Sequence, residues 1–126
     1  MTYKISWEDQ TILNTWTGNA TGDELFAFVK EVHSNPNFDQ LRYSLHDFSA
    51  CTGAVFSQES IELISALDAA AALTNSHIKI GVVAERDDLK AMVKKYMDTG
   101  MSPYPVQSFT TVKEMRDWEA EDWAKQ

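Results

Sequence analysis

The alternation of hydrophobic and polar residues predicts that the chain opens with a β-hairpin. Residues 3 to 8 alternate strictly between apolar and polar, which is typical of a strand buried on one side. A second strand, Thr11 to Thr17, follows after a very short turn, so we expect the two strands to be antiparallel neighbours. Gly18 and Asn19 are interpreted as the point where this hairpin ends.

Beyond the hairpin, segments with helical spacing of apolar residues alternate with apolar runs. The order ββαβαβαβα predicts an α/β fold in which the strands after the hairpin are parallel and their crossovers right-handed. The predicted elements are a helix from Thr21 to Asn35, a strand from Leu41 to Asp47, a helix from Ser57 to Asn75, a strand from Ile78 to Ala84, a helix after Arg86-Asp87, a strand from Val106 to Phe109, and a helix from Thr111.

The central strands indicate how the helices cover the sheet. Tyr43, Leu45 and Asp47 alternate with more polar neighbours, whereas parallel strands covered on both faces form nearly continuous apolar runs. We therefore expect a mixed five-stranded sheet with the helices mainly on one face. Tyr43, Leu45 and Asp47 are assigned to that covered face.

The segment after Asp47 holds the residue types best suited to binding. A short polar loop is predicted there, before the second helix. In open α/β sheets, ligands bind beyond the carboxyl ends of the strands, and the next strand also ends at this edge. The candidate ligand-binding or partner-binding residues are Asp47, Ser49, Cys51, Thr52, Ser57 and Arg86.

Two interpretations of this edge stay open. Its hydroxyls and carboxylates either cap the helices that begin there, or leave the helix amino termini available to an anion. Asp47 either accepts hydrogen bonds from amides near Cys51 and so fixes the turn, or anchors a ligand or partner.

We expect no catalytic residue, no metal and no cofactor. His46 and Asp47 are adjacent on a strand and therefore point to opposite faces, so they do not form a base and acid pair. Cys51 has only a helix terminus to activate it, and we interpret it as a small buried thiol. The three histidines lack the spacing of a zinc site, and the sequence has no glycine-rich phosphate loop.

Composition narrows the function classes further. The 126 residues, 44% of them hydrophobic, fit one domain spanning residues 1–126. A net charge of −8 argues against nucleic acid as a partner, because binding nucleic acid requires cationic patches. No apolar run is long enough for a membrane span, and the amino terminus does not have the pattern of a secretory signal. With a single cysteine, these features predict a cytoplasmic protein.

The second predicted helix has an unusually wide apolar stripe. Its apolar residues cover close to half of the circumference, which exceeds the ~100° that one core contact needs. We expect deep burial between two neighbouring helices, and the alternative is that part of the stripe faces a pocket or a partner. The stripe consists of Leu63, Ile64, Ala66, Leu67, Ala70, Ala71 and Leu73.

Three stretches carry a resemblance to a known family: Tyr43 to Ser49, Ile78 to Ala84, and Ser108 to Thr111 followed by Glu114 to Trp118. A strand that ends in an aspartate, and a last helix with a tryptophan near its end, are features of one bacterial subgroup. The chain resembles these SpoIIAA-like proteins of the STAS domain family, also called STAS/CRAL-TRIO-like. The resemblance spans nearly the whole chain and implies a SpoIIAA-like fold.

The resemblance also implies candidate functions. The wider group includes antagonists of anti-sigma factors, switched by phosphorylation of a serine at the start of the second helix, and cytoplasmic tails of anion transporters. The CRAL-TRIO relatives carry lipids. Ser57 takes the place of the switch serine, although residues 54 to 56 differ from the family's turn. Glu119 stands where the subgroup has an apolar residue, and we expect it to reach water rather than to lie partly buried against a cation.

Three functional hypotheses follow. The first is a non-enzymatic STAS-like regulatory module that binds a protein partner or a second copy of itself. It would use the predicted loop from Ser49 to Ser57 and the outer face of the second helix, with Ser57 as the phospho-switch. The second is a small carrier of an apolar or amphipathic ligand held between the second and third helices. The third is an enzyme that uses Asp47 and Cys51.

Overall fold

In the computed structural model, which describes residues 2–126, the chain begins with an antiparallel hairpin of β1 (Tyr3–Glu8) and β2 (Thr11–Thr21). Met1, which the predicted domain includes, lies outside the described residues. The elements that follow are α1 (Gly22–His33), a 3-10 turn (Phe38–Gln40), β3 (Tyr43–Val55), α2 (Gln58–Ala71), β4 (Lys79–Val83), α3 (Asp87–Asp98), β5 (Val106–Phe109) and α4 (Val112–Ala124).

The strands form one five-stranded sheet in the order β1-β2-β3-β4-β5. β1 and β2 pair in antiparallel fashion, and every later pair of neighbours is parallel. The predicted order of elements and the mixed sheet are therefore confirmed.

Three helices cover one face of the sheet, and the fourth covers the other. Apolar residues of α1, α2 and α3 share one core cluster with Ile12 and Trp16 of β2, whereas Met115 of α4 belongs to a second cluster with Tyr43 and Leu45 of β3. Most of the helices thus lie on one face, as predicted, but our assignment of residues to that face was wrong. Tyr43 and Leu45 lie under α4, and the polar residues that alternate with them lie under the other three helices. Those polar residues are buried because they bond to one another and to neighbouring side chains, which satisfies their polar groups.

The predicted capping residues begin three of the helices. The side-chain oxygens of Thr21, Ser57 and Thr111 each accept a bond from the backbone N–H three residues later, at 3.3, 3.0 and 3.1 Å. Each bond satisfies one of the amides that a helix start leaves unpaired. These local signals fixed the starts of α1, α2 and α4 correctly.

β3 is longer than predicted. We expected the strand to end at Asp47 and a loop to follow, but β3 continues to Val55 and pairs with an equally extended β2. Gly18 of β2 has a φ of 67°, which glycine adopts without strain, so β2 continues through it to Thr21. β3 uses 13 residues where β2 uses 11, with irregular register near Asp47 and at Thr52. Such bulges let a strand change which face its side chains occupy.

Candidate functional site

The extended half of β3, residues 49–55, forms one side of the candidate site and is called here the distal β3 segment. β4 pairs only with the stretch from Tyr43 to Asp47, so the distal β3 segment has β2 as its one strand neighbour. Its other edge faces the start of α3. The backbone N–H of Ala54 donates to the carboxylate of Asp88 at 3.2 Å. The predicted binding residues Ser49, Cys51 and Thr52 therefore lie on a strand rather than on a loop.

Asp47 fixes the local backbone where the distal β3 segment begins. One of its carboxylate oxygens accepts bonds from the Ser49 backbone N–H at 3.0 Å and from the Ser49 hydroxyl at 2.6 Å. This pattern is that of an Asx turn, in which an aspartate bonds to the backbone two residues later. The contact favours the structural interpretation of Asp47, with Ser49 as its partner.

Cys51 is a free thiol that is only 8% exposed and packs in the core under α1, α2 and α3. Burial, and secondly the charge of Asp47, raise the pKa of the thiol. A protonated thiol is a poor nucleophile. Burial of Cys51 confirms its interpretation as a small buried thiol.

Arg86 and Asp88 form an exposed ion pair beside the distal β3 segment. The Arg86 guanidinium donates to both oxygens of Asp88, at 3.1 and 3.2 Å, and these bonds lower the pKa of the carboxyl. Thr52 is also exposed. The charges of Asp47 and Arg86 both act on the Cys51 thiol, and Ser49 bonds Asp47, so the structure brings these four predicted residues to one region.

The hydroxyls at the helix starts are occupied by their own helices. Ser57 is exposed, and its hydroxyl caps α2 and lies 2.9 Å from the hydroxyl of Ser60. Thr111 caps α4 on the opposite face of the sheet. These contacts favour capping over anion binding as the role of the two hydroxyls.

Other chemistries find little support in the described part of the chain. No group of three His, Cys, Asp or Glu residues within residues 2–126 is placed to hold a metal ion. His46 lies buried beside Trp16, while Asp47 is bonded to Ser49, so the two do not form a pair. Across the same residues, none of the helices is both long enough and apolar enough to span a membrane.

The outer face of α2 exposes apolar side chains to solvent. Our expectation of deep burial was wrong for four residues of the predicted stripe, and Leu63 and Leu73 are 49% and 91% exposed. The inward half of the helix packs against the core through Ile61 and Ile64. The name α2 outer face is used below for Leu63, Ala66 and Ala70 of α2 together with Leu73 in the turn that follows the helix, which are all exposed.

A groove runs from the α2 outer face to the end of α3. Leu63 and Ala66 form one wall, and Met101, which is 40% exposed, contributes to the other. The charged residues that line the groove are Glu59, Glu62, Asp98 and Lys95, so carboxylates outnumber cations three to one.

Comparisons with known proteins agree with this architecture. No family model and no curated protein sequence matches the chain. Among solved structures, it is similar to the anti-sigma factor antagonist SpoIIAA in its unphosphorylated form, with a TM-score of 0.59 over 98% of this chain and 97% of that one, at 9% identity. The chain has the SpoIIAA-like fold. An uncharacterized DUF3478-family protein with a SpoIIAA-like fold from Shewanella loihica PV-4 is similar over 92% of this chain and 90% of that one, with a TM-score of 0.53 and 12% identity.

The SpoIIAA-like fold was thus predicted correctly, but the environment of Glu119 was not. The Glu119 side chain is 16% exposed, lies 3.4 Å from the Arg116 guanidinium and accepts a bond from the Thr11 hydroxyl. Arg116 also bonds Glu8 of β1 at 2.6 Å. Our expectation that Glu119 reaches water was wrong, because α4 continues past it and a cation lies within reach.

Sequence reasoning also missed two buried polar groups in this SpoIIAA-like fold. The first joins Asn14, Trp16, Ser44 and His46 on the sheet. In the second, the carboxylate of Asp68 on α2 contacts one residue of α1 and one of α3, His33 and Tyr96. Each residue looked isolated in the sequence, since the contacts join different elements.

Proposed function

We propose that the chain is a non-enzymatic regulatory module that acts by binding another protein. The observation that carries the proposal is the exposure of the α2 outer face, where an apolar stripe that would normally be buried meets water. The distal β3 segment contributes the polar part of the contact surface, with Ser49, Thr52 and Arg86 exposed. Similarity in fold to an anti-sigma factor antagonist supports a regulatory role.

The charge of the surface favours a partner with basic side chains over a second copy of the chain. The net charge is −8, and Glu59 and Glu62 line the groove beside Leu63, whereas Asp98 in the same groove is paired with Lys94 at 2.6 Å. Two such surfaces would repel each other. A partner with apolar anchors flanked by Lys or Arg would instead bury apolar surface and place opposite charges side by side.

The candidate catalytic side chains are buried or already engaged, which supports the non-enzymatic interpretation. The Cys51 thiol is buried and its pKa is raised, and Asp47 is engaged by Ser49. His46 is enclosed beneath the helices. We infer in addition that the module works in the cytoplasm, in keeping with its free thiol.

Affinity capture followed by reconstitution tests the proposal. Tagged protein captures partners from a lysate of the source organism, and each retained protein is then purified and titrated by calorimetry. The test variant is Leu63→Gln with Leu73→Gln, and the control is Trp123→Gln, an exposed aromatic residue on α4 across the sheet. We expect the double variant to weaken binding at least tenfold and the control to stay within about twofold, because central apolar anchors dominate interface energies.

The salt dependence of the purified complex is a second readout. Affinity for a basic partner should fall as salt is raised from about 50 to 200 mM. The proposal would be wrong if every purified candidate bound the double variant as tightly as the native chain. Light scattering that finds a stable homodimer, dissociated by the double variant, would instead assign the α2 outer face to a second copy.

A further inference from the structure

A cavity of about 90 Å³ lies between the sheet and the layer formed by α1, α2 and α3. Most of its walls are apolar. They include Phe28 and Val29 of α1, Ile64 of α2, Val82 of β4, and Met92 and Val93 of α3. The cavity is thus built into the main core and is separate from the α2 outer face.

The size of the cavity limits what it can hold. A single water needs roughly 10–15 Å³, and a dry cavity of about 150 Å³ binds benzene. The cavity is therefore larger than one water requires but only about three fifths the size of the cavity that binds benzene, so six non-hydrogen atoms is the upper limit of what it can hold. A lipid chain would not fit, so among the apolar or amphipathic ligands predicted to lie between the second and third helices this cavity would admit only small ones.

The floor of the cavity presents one hydrogen-bond donor. Trp16 Nε1 donates to Nδ1 of His46, so the imidazole proton of the neutral ring sits on Nε2, which faces the Ser44 hydroxyl at 3.3 Å. The Asn14 amide also donates to that hydroxyl, at 3.4 Å. With the Asn14 amide oriented in this way, Ser44 Oγ accepts two bonds, and within residues 2–126 neither the Ser44 hydrogen nor the buried Asn14 Oδ1 has an assigned partner.

The charges around the cavity disfavour an anion. Its ionisable lining consists of His33, His46, Asp68 and two tyrosines, and it includes no lysine or arginine. Asp68 is bonded by the Tyr96 hydroxyl at 2.5 Å and lies 3.1 Å from His33 Nε2. A carboxylate ligand would have to leave water for an apolar cavity that already contains a carboxylate, which costs free energy.

We propose that this cavity binds a small neutral molecule with an apolar body and one hydrogen-bond acceptor, such as a short-chain ketone, whose oxygen accepts a bond from the Ser44 hydroxyl. The site goes beyond the protein contacts of the proposed function and uses a different surface. Either proposal stands if the other fails.

Titration followed by methyl NMR tests the site with three probes of equal size. The probes are 2-pentanone, which has an acceptor, benzene, which has none, and butyrate, which is charged. We expect 2-pentanone to shift the methyl signals of Ile64, Val82 and Val93. Benzene should bind about threefold to tenfold more weakly, the range that one net hydrogen bond supplies, and butyrate at least tenfold more weakly.

Two substitutions assign the binding to this cavity. Ser44→Ala should remove the preference for 2-pentanone over benzene while benzene still binds. Val93→Phe should fill the cavity and abolish binding of both, whereas Val112→Phe, on α4 at the opposite face, should leave both affinities unchanged. If Ser44→Ala does not fold, the Val93→Phe and Val112→Phe pair decides alone. Absence of methyl shifts with all probes, shifts confined to exposed residues, or unchanged binding to Val93→Phe would overturn the proposal.

Discussion

The indole Nε1 of Trp16 donates a hydrogen bond of 3.2 Å to Nδ1 of His46, on the face of the sheet that α1, α2 and α3 cover. Phe48 stacks on the His46 ring with centroids 5.7 Å apart, and Phe28 meets its edge at 5.1 Å. Burial among these groups lowers the pKa of His46 to about 4. The imidazole is therefore neutral near pH 7 and acts as a fixed hydrogen-bond acceptor for Trp16.

This arrangement predicts that stability falls in mild acid. The unfolded chain protonates His46 near the ordinary pKa of 6.5, whereas the folded chain does so only near 4, so the unfolded state binds more protons between these values. The contribution of His46 is complete above pH 6.5 and is lost as the pH falls towards 4. We expect a loss of about 2 kcal/mol at pH 5 and about 3 kcal/mol at pH 4 in urea unfolding free energies.

Two histidine variants separate this effect from other acid-labile groups. His46→Gln keeps an acceptor for Trp16 without a titrating ring, so its stability should change much less between pH 6.5 and 5. His77→Gln alters an exposed histidine and should follow the native curve. A native curve that stays flat between pH 6.5 and 5, or a His46→Gln curve as steep as the native one, would contradict the assignment.

The same residues explain why the sequence predicted the sheet but not its faces. Apolar alternation identified β3 and its neighbours, because hydrophobic periodicity is a local signal. Ser44 and His46 were placed on the less covered face since polar side chains are seldom buried. They are buried because Trp16 and Asn14, 30 residues away, provide their partners. No local pattern reports such a pairing.

The distal β3 segment illustrates the same limit at the candidate site. Ser49, Thr52 and Gly53 are typical turn residues, and Gly18 was interpreted as the end of β2. The two polar segments nevertheless pair with each other, from Thr17 to Thr21 and from Ala50 to Val55. Each becomes a strand only because the other is present. The helix caps, which depend on residues three positions apart, were predicted correctly.

Asp122 should anchor the end of α4 to the sheet. Its carboxylate accepts a bond from the Tyr43 hydroxyl at 2.6 Å and pairs with the Lys79 ammonium at 2.8 Å. We expect Asp122→Asn to destabilise the fold by about 1 kcal/mol, a figure reduced for the partial exposure of Lys79. Urea unfolding followed by tryptophan fluorescence measures the change.

The pH dependence and a control variant check this role for Asp122. The bonds from Lys79 and Tyr43 lower the pKa of Asp122, so its contribution is complete above about pH 4 and is lost only at lower pH. Asp117→Asn breaks an exposed pair with Lys113 and should change stability by less than about 0.5 kcal/mol. Equal effects of the two variants at pH 7 would argue against an anchor at Asp122.

Cys51 should react with thiol reagents only when the chain unfolds. Its sulfur is buried and its pKa is raised by burial and by Asp47, so both access and thiolate content are low. We expect alkylation in native buffer to be roughly a hundredfold slower than in urea. Thr52→Cys combined with Cys51→Ser places a thiol at the exposed neighbouring position and should react at least tenfold faster than native Cys51. Comparable native rates for the two thiols would favour the enzymatic hypothesis instead.

Ser57 offers the sharpest test of regulation at this surface. Its hydroxyl caps α2 through the Ser60 backbone N–H, so Ser57→Ala should cost about 1 kcal/mol of stability. Ser57→Asp keeps a capping oxygen and places a negative charge at a helix amino terminus, which should hold stability within about 0.5 kcal/mol of the native value. Because the stability is retained, any change in binding reports the added charge. We expect Ser57→Asp to change the affinity of the purified protein partner at least threefold, while Thr111→Asp, the matching cap of α4, leaves it unchanged. Equal affinities of the native chain and Ser57→Asp would argue that Ser57 serves as a helix cap and not as a phospho-switch.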